Sequence, residues 1–217
     1  MRTKSIILTL AVGAMSVASS MAQVYSVNAV GYVNITCNPG FNMIANQLNP
    51  TSSTLEALIP NAPPGSQIFK FTGTGYNIAT FDEFDLAWTY AAPATSANMA
   101  LTLGRGVWFN NAGTTPFTVT FLGEVPQGTL TTPTPTGFNM VASQVPQAGP
   151  VDTLGLTGGP GDQIYRFANP GGYTVYTFDE FDLAWLPSVP SLNVGEAVWL
   201  SRAPGSPTSW TRTFSVN

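Results

Sequence analysis

Short stretches in which apolar and polar residues alternate recur along the chain. In residues 117–121, Phe, Val and Phe alternate with two Thr residues, which is the period of a strand with one buried face. Residues 41–45 place Phe, Met and Ala on one face in the same way. Segments rich in Pro and Gly, such as residues 63–65 and 158–161, separate these runs and are typical of turns between strands. The pattern predicts an all-β fold, either a β-sandwich or a partly open barrel.

One short helix is expected among the strands. Residues 53–56 read Ser-Thr-Leu-Glu and fit a capping box at a helix N-terminus. Pro60 follows closely, and since Pro lacks the backbone N–H that a helix interior needs, it ends the helix within two turns.

The chain contains an internal duplication, in which four motifs occur twice in the same order. They are GFNMIAN at 40–46 and GFNMVAS at 137–143, QIFKF at 67–71 and QIYRF at 163–167, FDEFDLAW at 81–88 and 178–185, and LGRGVWF at 103–109 and VGEAVWL at 194–200. This spacing is far longer than a solenoid unit of about 20–50 residues, so each copy is expected to be a small domain with its own core. The pattern predicts two tandem homologous domains: repeat 1 at residues 23–130 and repeat 2 at residues 131–217. A stiff, extended Thr-Pro linker is expected around residues 131–136.

The first 22 residues have the character of a secretory signal peptide. A basic start with Arg2 and Lys4 precedes an apolar stretch and the small-residue site Ser20-Met21-Ala22. The apolar stretch is shorter than the roughly 20 residues of a spanning helix, which disfavours a membrane anchor. We therefore predict cleavage after Ala22 and an exported protein that is periplasmic, on the cell surface or extracellular, with no membrane insertion after cleavage.

Composition excludes much chemistry. Only 8% of the residues are charged and the chain has no His, which removes His-based catalytic triads and His-ligated zinc. After removal of residues 1–22 five basic residues remain against 11 acids, a net charge of 5 − 11 = −6. So acidic a chain is a poor match for nucleic acid or anionic membranes. The single Cys, Cys37, lies on the apolar side of its strand pattern and is expected to be a small buried hydrophobe.

The duplicated FDEFDLAW segment, which we call the acidic box, is the strongest candidate for chemistry. Its six acids are more than half of all acids in the chain, and they could offer oxygen ligands to Ca²⁺, the one cofactor that the sequence suggests. They are Asp82, Glu83 and Asp85 in repeat 1 and Asp179, Glu180 and Asp182 in repeat 2. A carboxylate-based glycoside hydrolase is a further alternative, because that mechanism needs neither His nor Cys.

A purely structural role for the acidic box is the competing interpretation. The apolar members Phe81, Phe84, Leu86 and Trp88 would anchor the segment in the core. The acids would face solvent or pair with Lys70 and Arg166, the basic residues at matching positions of the two repeats.

A carbohydrate-binding module is the alternative to a structural or interaction protein. Exposed aromatic rings stack on sugars, and two copies raise affinity by avidity. Four Trp residues occupy matching positions in the repeats and are the candidate platforms for a polysaccharide: Trp88, Trp108, Trp185 and Trp199. Burial of these rings in the core is the other interpretation.

The two ends of the chain suggest self-association. Residues 214–217 (FSVN) echo residues 25–28 (YSVN), so one strand type closes one copy and opens the next. Terminal strands with an open edge can pair between molecules; alternatively, each pairs within its own domain.

The motif order resembles that of β-domains in exported bacterial proteins. Those domains open with a Gly-Trp-Asn-Leu-Ile-Ser strand and later show a Gly-Tyr-Trp-Val strand. The VNAVGYV start at residues 27–33 and the acidic box are similar to a narrower group of exported bacterial tandem β-domain proteins. The resemblance implies an all-β fold and export, and no binding residue is carried over from it. Together these features predict an exported, non-catalytic structural or interaction protein at the cell surface or outside the cell.

Overall fold

The protein is described by a computed structural model that covers residues 29–216, and these residues form an all-β fold with two short helices. Repeat 1 contains β1 (Val30–Cys37), β2 (Gly40–Ile44), α1 (Leu55–Leu58), β3 (Gln67–Phe71), β4 (Tyr76–Phe81), β5 (Trp88–Ala91), α2 (Ser96–Met99), β6 (Val107–Asn111) and β7 (Phe117–Glu124). Repeat 2 contains β8 (Gly128–Pro133), β9 (Gly137–Val141), β10 (Gly149–Pro150), β11 (Gln163–Ala168), β12 (Gly172–Phe178), β13 (Trp185–Leu186), β14 (Ser191–Leu192), β15 (Val198–Arg202) and β16 (Ser209–Phe214). The predicted signal peptide and residues 25–28 lie outside the described residues.

The two repeats share one topology. Each has a five-stranded antiparallel sheet, ordered β2-β6-β3-β4-β5 in repeat 1 and β9-β15-β11-β12-β13 in repeat 2. A two-stranded ribbon joins the first and last strands of each repeat, β1 with β7 and β8 with β16. The first and last strands of the described chain, β1 and β16, therefore each pair within their own repeat. Self-association through the terminal strands remains a prediction.

Each repeat has its own buried cluster on one face of its sheet. The alternation predicted for residues 117–121 is confirmed: Val119 and Phe121 are buried and Thr118 and Thr120 are exposed. From the paired strand, Val33 and Cys37 add to the same cluster. In repeat 2 the position of Val119 is taken by Trp210, which is fully buried and donates through Nε1 to the carbonyl oxygen of Leu154. One larger ring thus fills the core of the repeat that has fewer helical residues.

The helix starts one residue later than the Ser-Thr-Leu-Glu motif predicts. The N-cap of α1 is Thr54, and its side chain makes no capping hydrogen bond. The capping box of repeat 1 instead lies at α2, where Thr95 and Asn98 exchange side-chain and backbone hydrogen bonds. Asn at the third helical position performs the role that the sequence motif gives to Glu.

The first half of the segment expected to be a linker, residues 131–133, belongs to a strand. Strand β8 begins at Gly128, three residues before the predicted boundary, and it pairs with β16 along its whole length. Thr132 within this strand and Thr134 just after it are buried. The repeats are therefore joined by a short turn between β7 and β8, and the Thr-Pro segment belongs to the body of repeat 2.

The second face of each sheet packs against the other repeat. Met43, Trp108 and Phe69 of repeat 1 meet Met140, Trp199 and Tyr165 of repeat 2 in a third buried cluster. Four backbone hydrogen bonds cross the same interface in two equivalent pairs. They are Ala45 N to Gly195 O (2.9 Å) with Ala142 N to Gly104 O (3.1 Å), and Gly106 N to Met140 O (3.1 Å) with Ala197 N to Met43 O (3.3 Å). The repeats are thus related by a pseudo-two-fold axis, with sheets stacked face to face and a ribbon outside each.

Ten aromatic rings close into a continuous circuit across this interface, five from each repeat at matching positions. They are Phe41, Phe69, Phe71, Tyr76 and Trp108 of repeat 1 and Phe138, Tyr165, Phe167, Tyr173 and Trp199 of repeat 2. The contacts that cross between the repeats include the edge-to-face pairs Trp108 with Phe167 at 4.9 Å and Phe71 with Trp199 at 4.8 Å between ring centroids. Such pairs add about 0.5–1.5 kcal/mol each beyond the burial of their area.

The glycines just before strands β6 and β15 permit this close approach. Gly104 and Gly195 have positive φ angles of 71° and 77°, a backbone conformation that Gly adopts without a steric penalty. Gly106 lies on the pseudo-axis, where an added Cβ would overlap the Cβ of Ala197 and lie 3.0 Å from Cγ of Met140. The backbones of the two repeats meet here without space for a side chain on the repeat 1 strand.

We predict that Gly106→Ala destabilises the protein. Its new methyl group pushes the repeats apart, and overpacking of this kind lowers the free energy of unfolding by about 1–3 kcal/mol. Thermal or urea unfolding measures the change. Gly75→Ala is the matched control, because no atom lies within 4 Å of an added Cβ there. Equal stability of the two variants would contradict the account of the interface.

Candidate functional site

Each acidic box forms the loop of a β-hairpin. In repeat 1 the loop joins β4 to β5 and is closed by the pair Phe81 and Trp88. The backbone N–H of Asp82 donates to the carbonyl oxygen of Ala87 at 2.8 Å. The Asp82 carboxylate oxygen Oδ1 accepts from the backbone N–H of Phe84 at 2.8 Å and of Asp85 at 2.9 Å. This local bonding by an Asp side chain is the usual device for shaping a turn.

The loop of repeat 2 reproduces this geometry. The pair Phe178 and Trp185 closes it, and Asp179 N donates to Ala184 O at 2.8 Å. Asp179 Oδ1 accepts from the N–H of Phe181 at 2.8 Å and of Asp182 at 2.9 Å. The identical sequence therefore adopts the same loop conformation in both repeats.

Backbone hydrogen bonds lower the pKa of the first acid of each loop. For Asp82 the donors are Asp85 and Phe84, and for Asp179 they are Asp182 and Phe181. Hydrogen bonds to a carboxylate favour its charged form. The direction is opposite to that needed by the general acid of a glycoside hydrolase, whose pKa is raised.

The tips of the loops are apolar and exposed. Phe84 is 85% exposed and Phe181 is 86% exposed, while Leu86 and Leu183 are 61% and 66% exposed. The expectation that Phe84 and Leu86 anchor the segment in the core is wrong. Only Phe81 and Trp88 are buried, because the six residues between them turn away from the sheet.

The Leu residues of the loops also have an unfavourable backbone conformation. Leu86 has a φ of 48° and Leu183 a φ of 49°, and they are the only non-Gly residues with positive φ in residues 29–216. A side chain in this left-handed region costs about 1–2 kcal/mol relative to the right-handed conformation. Gly or Asn would adopt it more readily, yet both loops carry Leu.

The acids of the boxes do not form a metal site. Within residues 29–216 no group of three Asp, Glu or Cys side chains is placed to hold a metal ion. The predicted Ca²⁺ ligands Glu83, Asp85, Glu180 and Asp182 are exposed, and Oδ1 of Asp82 and of Asp179 is occupied by backbone N–H groups. The structure thus gives the Ca²⁺ hypothesis no converging ligand set.

The four candidate Trp platforms are buried. Trp88 and Trp185 lie in the cores of their repeats, and Trp108 and Trp199 lie between the repeats, all between 4% and 9% exposed. Trp88 Nε1 donates to the carbonyl oxygen of Ile59 at 2.8 Å. None presents an open ring face, so the expectation of Trp platforms for a polysaccharide is corrected to a packing role.

The two basic residues expected to pair with the boxes have other partners. Lys70 Nζ donates to the carbonyl oxygen of Ala100 at 2.6 Å. Arg166 forms a bidentate ion pair with Glu196, in which Nη2 donates to Oε2 at 2.9 Å and Nε donates to Oε1. The acids of the loops therefore face solvent without these cations.

Cys37 is an inert residue of the core. It is fully buried on the ribbon, and burial raises the pKa of its thiol to about 12. The thiolate that reacts or binds metal is thus disfavoured, as expected for a small buried hydrophobe.

Comparison with known proteins adds no relative. No protein-family model, no curated protein and no solved structure matches the chain. No helix in residues 29–216 has the length and apolar character to cross a membrane.

We predict that the loops keep their turns below the ordinary pKa of Asp. Because the folded pKa of Asp82 and Asp179 is lowered, their contribution to loop stability is complete above the ordinary value near 3.9 and is lost as the pH falls through the lowered value. Amide NMR resonances of the residues that donate to Oδ1 report this transition.

Two variants of the first acid separate the charge from the hydrogen bonds. Asp82→Asn keeps an acceptor oxygen, so the turn of repeat 1 should persist with no acid transition. Asp82→Ala removes the acceptor and should open that turn at every pH, while the loop of repeat 2 serves as an internal reference. Resonances that shift at the ordinary Asp range would contradict the assignment.

Proposed function

We propose that the protein is an exported, non-catalytic interaction protein that binds a partner at the cell surface through its two acidic loops. The observation that carries this proposal is the exposure of Phe84 and Phe181 at the tips of two loops of identical sequence. Neither ring packs on its own chain, so the fold gains no burial energy from it.

Strain in the loops supports the same function. Leu86 and Leu183 gain little from burial and have an unfavourable φ. Residues held in such conformations are concentrated at ligand-binding and other functional positions. A loop selected for stability alone would carry Gly or Asn at these two positions.

The identity of the two loops is also informative because buried positions of the repeats have diverged. Val119 in one core corresponds to Trp210 in the other, and Phe109 corresponds to Leu200. The loop segments 82–87 and 179–184 are not restricted by packing in the core, yet their sequences are identical in the two repeats. A shared binding partner accounts for this better than packing does.

The composition of the loops indicates the chemistry of the partner. Each tip combines an aromatic and an aliphatic side chain with three acids. Such a surface fits a protein that surrounds an apolar depression with Lys or Arg, since rim charges steer and orient association while the apolar contact provides affinity. Two identical loops in one rigid body allow simultaneous attachment to two sites, with avidity gains of about 10²–10⁴-fold.

We predict that substitution of the loop tips abolishes binding of the protein to the surface of the cells that export it and leaves the fold intact. The test measures binding of labelled protein to washed cells. It compares three variants: one that carries both Phe84→Ser and Leu86→Asn, one that carries both Phe181→Ser and Leu183→Asn, and one that carries all four changes. One altered loop should weaken binding by about 10²-fold or more through lost avidity, and four changes should remove it.

The control variant is Tyr32→Ser, which removes an exposed aromatic ring outside the loops and should bind as the unaltered protein does. Protease treatment of the cells should abolish binding if the partner is a protein. Undiminished binding by the fourfold variant would overturn the proposal. Unfolding curves should show that Leu86→Asn and Leu183→Asn are not destabilising, because Asn tolerates the left-handed conformation.

Export is tested independently of binding. We expect the protein recovered outside the cytoplasm to begin at Gln23, as the small-residue site at Ala22 predicts. Amino-terminal sequencing of the recovered chain measures this directly. A chain that retains Met1 and remains in the cytoplasm would refute the export part of the proposal.

A further inference from the structure

Two cavities lie between the repeats at positions related by the pseudo-two-fold axis. The first has a volume of about 510 Å³ and the second about 500 Å³. Lys70 and Arg105 line the first, and their counterparts Arg166 and Glu196 line the second. None of the residues lining the first cavity belongs to the acidic loops.

The charges of the two cavities differ although their shapes correspond. In the second cavity Arg166 and Glu196 neutralise each other in the ion pair described above. In the first cavity Arg105 stands in place of Glu196, so two cations, Lys70 and Arg105, line the cavity together. A single difference between the repeats thus converts an ion pair into a basic pocket.

Among residues 29–216 no carboxylate forms an ion pair with Lys70 or Arg105. The ion pairs among residues 29–216 are Arg166 with Glu196 and Arg202 with Asp162. Burial lowers the pKa of Arg105, and burial together with the charge of Arg105 lowers the pKa of Lys70. Two partly desolvated positive charges in one cavity are unfavourable unless a negative group joins them.

The walls of the first cavity combine apolar and hydrogen-bonding groups. Phe71 and Phe138 contribute aromatic rings from opposite repeats, and both contact Trp199. Thr72, Thr102 and Thr136 also line it. The volume lies within the range of about 300–1,000 Å³ that is usual for small-molecule sites.

We infer that the first cavity binds a small sugar acid, with its carboxylate between Lys70 and Arg105 and its ring against Phe71 and Phe138. Arg donates two parallel hydrogen bonds to a carboxylate, and Lys adds a further charge. The ring of an aromatic side chain can stack on the apolar face of a pyranose. Threonine hydroxyls can exchange hydrogen bonds with the sugar hydroxyls.

A monomeric acid suits the cavity better than a long polyanion. The net charge of −6 after removal of residues 1–22, together with three acids in each loop, repels a chain of many carboxylates. A single carboxylate interacts mainly with the two nearby cations because salt screens charges beyond about 10 Å.

Calorimetric titration of the purified protein with glucuronate and galacturonate at low ionic strength tests the inference. We expect binding of these acids and none of glucose or galactose, which lack the carboxylate. Arg105→Glu should abolish binding, because it reproduces in the first cavity the ion pair of the second. Lys70→Met and Arg105→Gln should each weaken binding by about 10–100-fold, the loss expected for a charged hydrogen bond.

Thermal unfolding of each variant shows that the fold is retained, and Arg105→Gln keeps the test valid if Arg105→Glu does not fold. Several outcomes would overturn the inference: equal binding of glucose, binding of inorganic sulfate alone, binding of polygalacturonate alone, or unchanged binding by the Lys70 and Arg105 variants. The loop variants of the previous section should bind the sugar acid normally, so failure of one proposal leaves the other standing.

Discussion

The rest of the structure depends on the close approach of two backbones at Gly106 and Ala197. At this point the sheets of the two repeats exchange hydrogen bonds across the pseudo-axis, and any larger residue would separate them. The contact determines how far the sheets diverge elsewhere. Because they meet here, the aromatic rings of both second faces interlock into one circuit, and the two cavities lie beside it. Two small cores that are modest by themselves become a single larger body.

The hairpin loops differ from the interface between the repeats because they do not depend on long-range packing. Their conformation is determined locally, by one Asp oxygen that accepts two backbone N–H groups, and not by packing. This independence allows the tips to present apolar side chains to solvent without disturbing the core. Rigid presentation also reduces the conformational entropy that binding would otherwise remove. The molecule thus holds each loop at the end of a β-hairpin through hydrogen bonds within the loop and leaves the rings of Phe84 and Phe181 exposed.

Much of the fold could be predicted from the sequence, since period-two alternation and the internal duplication are both local signals. The stacking of the sheets was missed, although Trp108 and Phe109 are neighbours in one strand and adjacent large apolar residues indicate a strand buried on both faces. The exposure of Phe84 and Leu86 could not be found by alternation, because that rule fails inside a loop with a left-handed residue. The placement of Lys70 and Arg105 in one cavity depends on contacts between distant segments, which no spacing in the chain reveals.

The pseudo-two-fold arrangement has a consequence for how the molecule can change. In a homodimer of identical subunits every substitution appears twice, so a residue beside the axis must suit both sides at once. Covalent fusion of the two copies removes this requirement. Arg105 and Glu196 occupy equivalent positions with opposite charges, a combination that no symmetric dimer can contain. Joining the halves in one chain therefore allows the two sides of the axis to carry different charges.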